Sequence, residues 1–190
     1  SGREQQNYLI RVKYGKLTDN LTNGINISVP EATGAIAFYK KSHLIIKVKS
    51  RNGYLTFMMG KILINEKGTA GRFDTLWTFY VKNTTGFSRG QDIYYDAQTD
   101  CLFIPQCNNA NNVNKIMVVN LSGESETYKG NKLYTPQDII TVDKQKDYSK
   151  YEIESLVIAP KRHIVMVANI VPKGTKTADD AVERISNLKF

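Results

Sequence analysis

Gln91, Asp92, Glu154 and Ser155 carry side-chain oxygens at the heads of two otherwise apolar segments, GQDIYYDAQTDCLFI at 90–104 and ESLVIAPKRHIVMV at 154–167. Amides, carboxylates and hydroxyls in such places hydrogen-bond a polar ligand or line a water-filled opening. Other reactive types are sparse. Cys101 and Cys107 lie about 20 Å apart along an extended segment, beyond disulfide reach, and without a Cys-x-x-Cys pair or a histidine cluster they do not form a zinc site. No H-E-x-x-H or glycine-rich phosphate loop occurs. Ser88, in GFSRG, reads as a turn residue. Trp77, the single tryptophan, lies in TLWTFYVK, where alternation puts it on one side with Phe79 and Val81. Packing between layers is its expected role, ahead of an aromatic ligand shelf. Eleven tyrosines, among them Tyr8, Tyr14, Tyr94, Tyr128, Tyr148 and Tyr151, leave enough aromatic surface for a protein or carbohydrate contact face.

The elements that would position these residues repeat. Aligning Gly34, Gln91 and Glu154 brings GAIAFYKKSHLIIK (34–47) onto the two segments above without a gap: Ile36, Ile93 and Leu156 coincide, then Phe38, Tyr95 and Ile158, then a polar turn, then Leu44, Cys101 and Ile164. Each copy reads as a hairpin of strands near 35–39 and 43–48, 92–96 and 101–105, and 155–159 and 163–168, followed by a third strand at 53–60, 114–121 or 180–188. The alignment also makes His43 and His163 equivalent turn residues, which explains them without catalysis. Further strands are expected at 61–66, 75–82 and 126–135, and 7–14 and 24–30 supply two more. Only 137–150 and 177–186 have any helical periodicity, the latter competing with a strand.

The expectation is therefore a single all-β domain over residues 1–190, with repeats at about 30–89, 90–150 and 151–190, and 7–30 forming the outer strands of a preceding unit. A repeat of this length with about four antiparallel strands marks propeller blades, so the chain reads as about three blades, part or half of a six-bladed ring. The alternative is a β-sandwich. An open array leaves sheet edges and faces to cover, which implies a homodimer or an N-terminal half completing the ring. The start of each innermost strand converges on one mouth of the channel, which places Gln91, Asp92, Glu154 and Ser155 there as ligand-binding candidates.

The chain is 41% hydrophobic and has no stretch of about 18 apolar residues, so no membrane-spanning helix is expected. Twenty-six Lys and Arg against 18 Asp and Glu leave a net charge of +8. The cations are scattered and not interleaved with aromatics, which argues against a nucleic-acid site while favouring attraction to anionic polymers such as bacterial wall components. The chain opens Ser1-Gly2-Arg3 without methionine, so an upstream leader or domain stays open.

The hairpin GQDIYYDAQTDCLFI, with NKIMVVNL after it, resembles the blade pattern of six-bladed propellers of the NHL and gluconolactonase-like kind. The last forty residues, from YEIESLVIAP to ERISNLKF, are similar to the C-terminus of helveticin-type large bacteriocins. The first resemblance implies a divalent metal held by a glutamate at a blade head, a position that Glu154 matches, with Asp92 as a further oxygen ligand suited to Ca²⁺. Gly34, where the first repeat would need a ligand, departs from that pattern. Taken together, the expected function is a non-enzymatic, secreted or surface-associated bacterial binding protein, bacteriocin-like, without a resident cofactor and engaging a cell-surface or protein partner. The alternative is a metal-dependent, lactonase-like hydrolase with its site in the channel.

Overall fold

The computed structural model describes residues 8–11, 25–30, 33–40, 42–51, 53–87, 90, 92–108, 113–142, 147–159 and 163–185. Among them every regular element is a strand: β1 (Tyr8–Arg11), β2 (Ile25–Ser28), β3 (Thr33–Tyr39), β4 (His43–Arg51), β5 (Tyr54–Ile64), β6 (Ala70–Lys82), β7 (Tyr94–Asp96), β8 (Cys101–Asn108), β9 (Val113–Asn120), β10 (Glu126–Tyr128), β11 (Asn131–Tyr134), β12 (Asp138–Val142), β13 (Tyr148–Ala159), β14 (His163–Pro172) and β15 (Asp179–Ile185). No helix among the described residues is long and apolar enough to cross a membrane. The described parts of the segments with helical periodicity form β12 and the start of β13 in the first, and β15 in the second. Ile139, Ile140 and Val142 fit a pleated ladder against β9 better than a helix, whose preceding turn crowds β-branched side chains.

The three aligned segments each form an antiparallel hairpin, β3–β4, β7–β8 and β13–β14, and each continues into a third antiparallel strand, β5, β9 and β15. In the outer two hairpins the pairing register is the same: Ile36 faces Ile46 as Leu156 faces Met166, and Tyr39 faces His43 as Ala159 faces His163. Both also carry a bulge at the aligned position, with Gly34 the extra residue between Thr33 and Ala35, and Glu154 that between Ile153 and Ser155. The middle hairpin pairs Asp96 with Cys101 across a four-residue turn, Ala97 to Asp100, whose last residue has φ 53°.

The sheets these hairpins seed are unequal. The first has eight strands, with β1-β2-β6-β5-β4-β3 as its path and β11 and β10 attached beside β6; the second has four (β12-β9-β8-β7) and the third has three (β13-β14-β15). The regular set of four per repeat does not appear among the described residues, for two reasons. The 126–135 segment, expected as one strand of the second repeat, turns at Lys129-Gly130 into β10 and β11, and β11 then pairs in parallel with β6 of the first sheet. Parallel β2 occupies the other half of β6, at Ala70 to Arg72.

The sheets stack in chain order. Ile45, Phe57 and Phe79 of the first pack on Leu102, Ile104 and Met117 of the second. The alternate residues of the second, Phe103, Ile116 and Val118, pack on Ile153, Leu156 and Met166 of the third. The second sheet is thus buried on both faces, which is why β8 reads CLFIPQC with every side chain out of water. There are three layers where a sandwich would have two.

Candidate functional site

Gln91 lies outside the described residues. Asp92, just before β7, and the Glu154–Ser155 bulge of β13 are brought together: Asp92 Oδ2 accepts a hydrogen bond from the Leu156 N–H at 3.0 Å. Glu154 is half-buried and Ser155 exposed. One Asp92 oxygen therefore serves the seam between the second and third sheets. Among the described residues no three His, Cys, Asp or Glu side chains gather as a metal-ligand set.

Sequence reasoning missed a denser polar cluster beside Asp92. Lys47 sits in the apolar run LIIKV of β4, only 7% exposed, and its Nζ donates to the Gly90 carbonyl at 2.8 Å. Burial drives its amine down to about 8, while the negative charge of Asp92 acts the other way. Gly90 makes this approach feasible, because a Cβ there would stand 2.1 Å from the Pro105 carbonyl oxygen and 2.9 Å from Lys47 Nζ. Gln106, 1% exposed, donates through Nε2 to the Pro105 carbonyl at 2.9 Å, and its Oε1 has no partner among the described residues.

Across the next seam, fully buried Asn114 clamps β13 from both sides, its Nδ2 donating to the Tyr151 carbonyl at 2.8 Å and its Oδ1 accepting the Ile153 N–H at 3.0 Å. Cys107 Sγ donates to Glu152 Oε1 at 3.1 Å, and Lys150 holds Glu152 Oε2 at 3.2 Å. Cys101 and Cys107 are buried free thiols, as their spacing requires. These contacts tie sheet to sheet. The signal that could have found them is a lone Lys or Asn inside a buried apolar strand.

A pocket of about 400 Å³ opens at the other chemically distinctive place, where β6 meets β11. Trp77 is 45% exposed on its wall instead of packed between layers. The cause is local. Met59 faces Trp77 and Gly60 faces Thr75, so Leu76 is an extra residue that bulges β6. A Cβ on Gly60 would meet the Asp74 carbonyl oxygen at 2.2 Å, so the bulge requires glycine there.

Phe79, on the same side of β6 as Trp77, forms the base of the pocket, stacked on Phe57 at 5.0 Å and edge-on to Tyr134 at 5.7 Å. The Tyr134 hydroxyl donates to the Leu121 carbonyl at 3.1 Å. Tyr39, opposite, packs on Tyr95 at 4.6 Å, and the Tyr95 hydroxyl donates to Asp100 at 2.6 Å. Burial, then that bond, hold the Tyr95 phenol above its ordinary range. The lip is the β10–β11 turn, where Lys129 (φ 50°) and Gly130 (φ 72°) give the tight left-handed pair of a two-residue hairpin. The base, the Tyr39 wall and the lip are thus held by the protein's own contacts, as in most small-ligand sites.

Comparison with protein-family models, with curated proteins and with solved structures returns no match. The all-β stack and its two polar or aromatic sites therefore stand on their own geometry.

Proposed function

We propose that this chain is a non-enzymatic binding module, secreted or held at a bacterial surface in the manner of a large bacteriocin, which engages a cell-surface component. The observation that carries this reading is the solvent-open pocket walled by Trp77, an exposed indole set over aromatic side chains that the core holds in place. Its size falls in the range of small-ligand sites. The finer architecture belongs to the same reading: three meanders stacked in chain order are successive blades, with Asp92, Glu154 and Ser155 near the channel. The outer face of the third sheet exposes Val157, Val167 and Val182, the last at 74%, and supports closure by a second copy of the chain.

The test is cosedimentation of the purified protein with intact bacterial cells and isolated walls. Retention of the wild type, and its loss in Trp77→Ala at unchanged folding, supports the module. Retention indifferent to Trp77, or no retention on any surface, sinks it. Light-scattering mass tests closure separately, since a monomer at all concentrations overturns pairing through the third sheet.

A further inference from the structure

Resting on the binding-module reading, we infer that the Trp77 pocket is a site for an anionic glycan, one that presents a pyranose ring with a carboxylate. Two properties of the site carry this, the form of its aromatic wall and the charge left uncommitted at its edge.

The indole of Trp77, 45% exposed, lines the pocket together with Phe79 and Tyr134. A pyranose ring has apolar C–H faces and a rim of hydroxyls that both donate and accept. Its face suits the indole. Its rim suits polar groups of the lining: the Tyr39 hydroxyl, and Asn131, whose Nδ2 gives one N–H to the Lys129 carbonyl at 3.0 Å.

Charge then selects among sugars. Lys132 is the one lining residue with a formal charge; its Nζ lies 5.9 Å from the Tyr134 ring and makes no ion pair among the described residues. Of the nearby lysines, Lys40 pairs with Asp100 at 3.2 Å, Lys82 pairs with Glu126, and Lys129 on the lip lies 5.3 Å from the Tyr128 ring. A cation in the lining beside an exposed indole matches a sugar that carries negative charge. A single-stranded nucleic acid needs more, a track of cations and successive stacking platforms.

The sole tryptophan makes the site self-reporting, because ligand over Trp77 changes the only indole emission of the chain. The full chain is titrated with an α-1,4-linked hexagalacturonate, with neutral maltohexaose, and with oligothymidylate, by fluorescence and by calorimetry. Expected are saturable binding of the uronate, roughly tenfold weaker binding of the neutral oligomer, and weakening by salt. Lys132→Gln, an exposed substitution that leaves the fold intact, should lower uronate affinity roughly fivefold to tenfold and leave maltohexaose unchanged. Trp77→Ala, checked for an unchanged unfolding midpoint, should abolish both by calorimetry.

Equal affinity for acidic and neutral oligomers, indifference to Lys132→Gln, preference for oligothymidylate, or no oligosaccharide binding each overturns the inference. In the last case, Trp77-dependent retention on cells would leave the binding-module reading standing and remove only the ligand class.

Discussion

Replacing Lys47 by methionine isolates the cost of a buried amine. In the folded protein the amine titrates near 8, in the unfolded chain near its ordinary 10.5. Below pH 8 both states hold the proton, and the cost of burying the charge is fully present. Between the two values the unfolded state binds more protons, so stability rises with pH, by up to about 1.4 kcal/mol per pH unit. The whole interval amounts to about 3 kcal/mol, an upper figure because water penetration softens such penalties. Methionine fills nearly the same volume and has no charge to relieve, so its stability lacks this rise. It also leaves the Gly90 carbonyl without its donor, a pH-independent loss of about 1–3 kcal/mol.

The assay is urea unfolding of both proteins from about pH 7 to about pH 10.5, plotted as the wild-type minus variant difference. That difference should climb by about 2–3 kcal/mol toward alkaline pH. Tyr95 pulls the other way above about pH 10, since the folded phenol keeps a proton that the unfolded one releases, but it is present in both proteins and cancels. A flat difference across the range would refute the argument that Lys47 is a desolvated amine.

Four further outcomes follow from the same geometry. Asp92→Asn should shift the Lys47 transition to lower pH, because the carboxylate is the charge that most opposes the effect of burial; the difference profile above reads it directly. Gly90→Ala should destabilise by at least about 2–3 kcal/mol, since its Cβ meets a main-chain oxygen that has nowhere to move, and denaturant midpoints check it. Asn114→Ala should cost about 2–4 kcal/mol by leaving the Tyr151 carbonyl and the Ile153 N–H buried without their partner, measured the same way. Cys101 and Cys107 should resist a thiol reagent in native buffer and react as two equivalents in denaturant; fast native reaction would contradict their burial.

The sequence carried the hairpins well because they are local. Alternation of Ile36, Phe38, Leu44 and Ile46, repeated at Leu156, Ile158, Ile164 and Met166, fixes both the strands and their facing register, and the structure gives both copies the same bulge. The path of 126–135 was not legible: β11 joins β6 in parallel, a pairing between residues far apart in the chain that leaves no periodic trace. The same gap explains Trp77. Its side of β6 is readable by alternation, but whether that side is covered depends on the Leu76 bulge and on where β11 lies. Asp92 stood out as a polar head of an apolar segment, and it does reach the 154–156 strand, through a main-chain N–H. Lys47 hid inside an apolar run, where its carbonyl partner on Gly90 was not visible from spacing.

The β10–β11 hairpin lies between β9 and β12 in the chain yet completes the edge of β6. During synthesis, the C-terminal half of β6 emerges with its hydrogen-bonding edge bare, and stays so until residues 131–134 leave the ribosome. The nascent first sheet is therefore sticky for the time it takes to make β7 to β9, a window in which edge-to-edge association competes with folding. Chains shortened to end before Asn131 would keep that edge open for good, so the shortest well-behaved N-terminal fragment is set by the β10–β11 hairpin and not by the boundary of the first repeat.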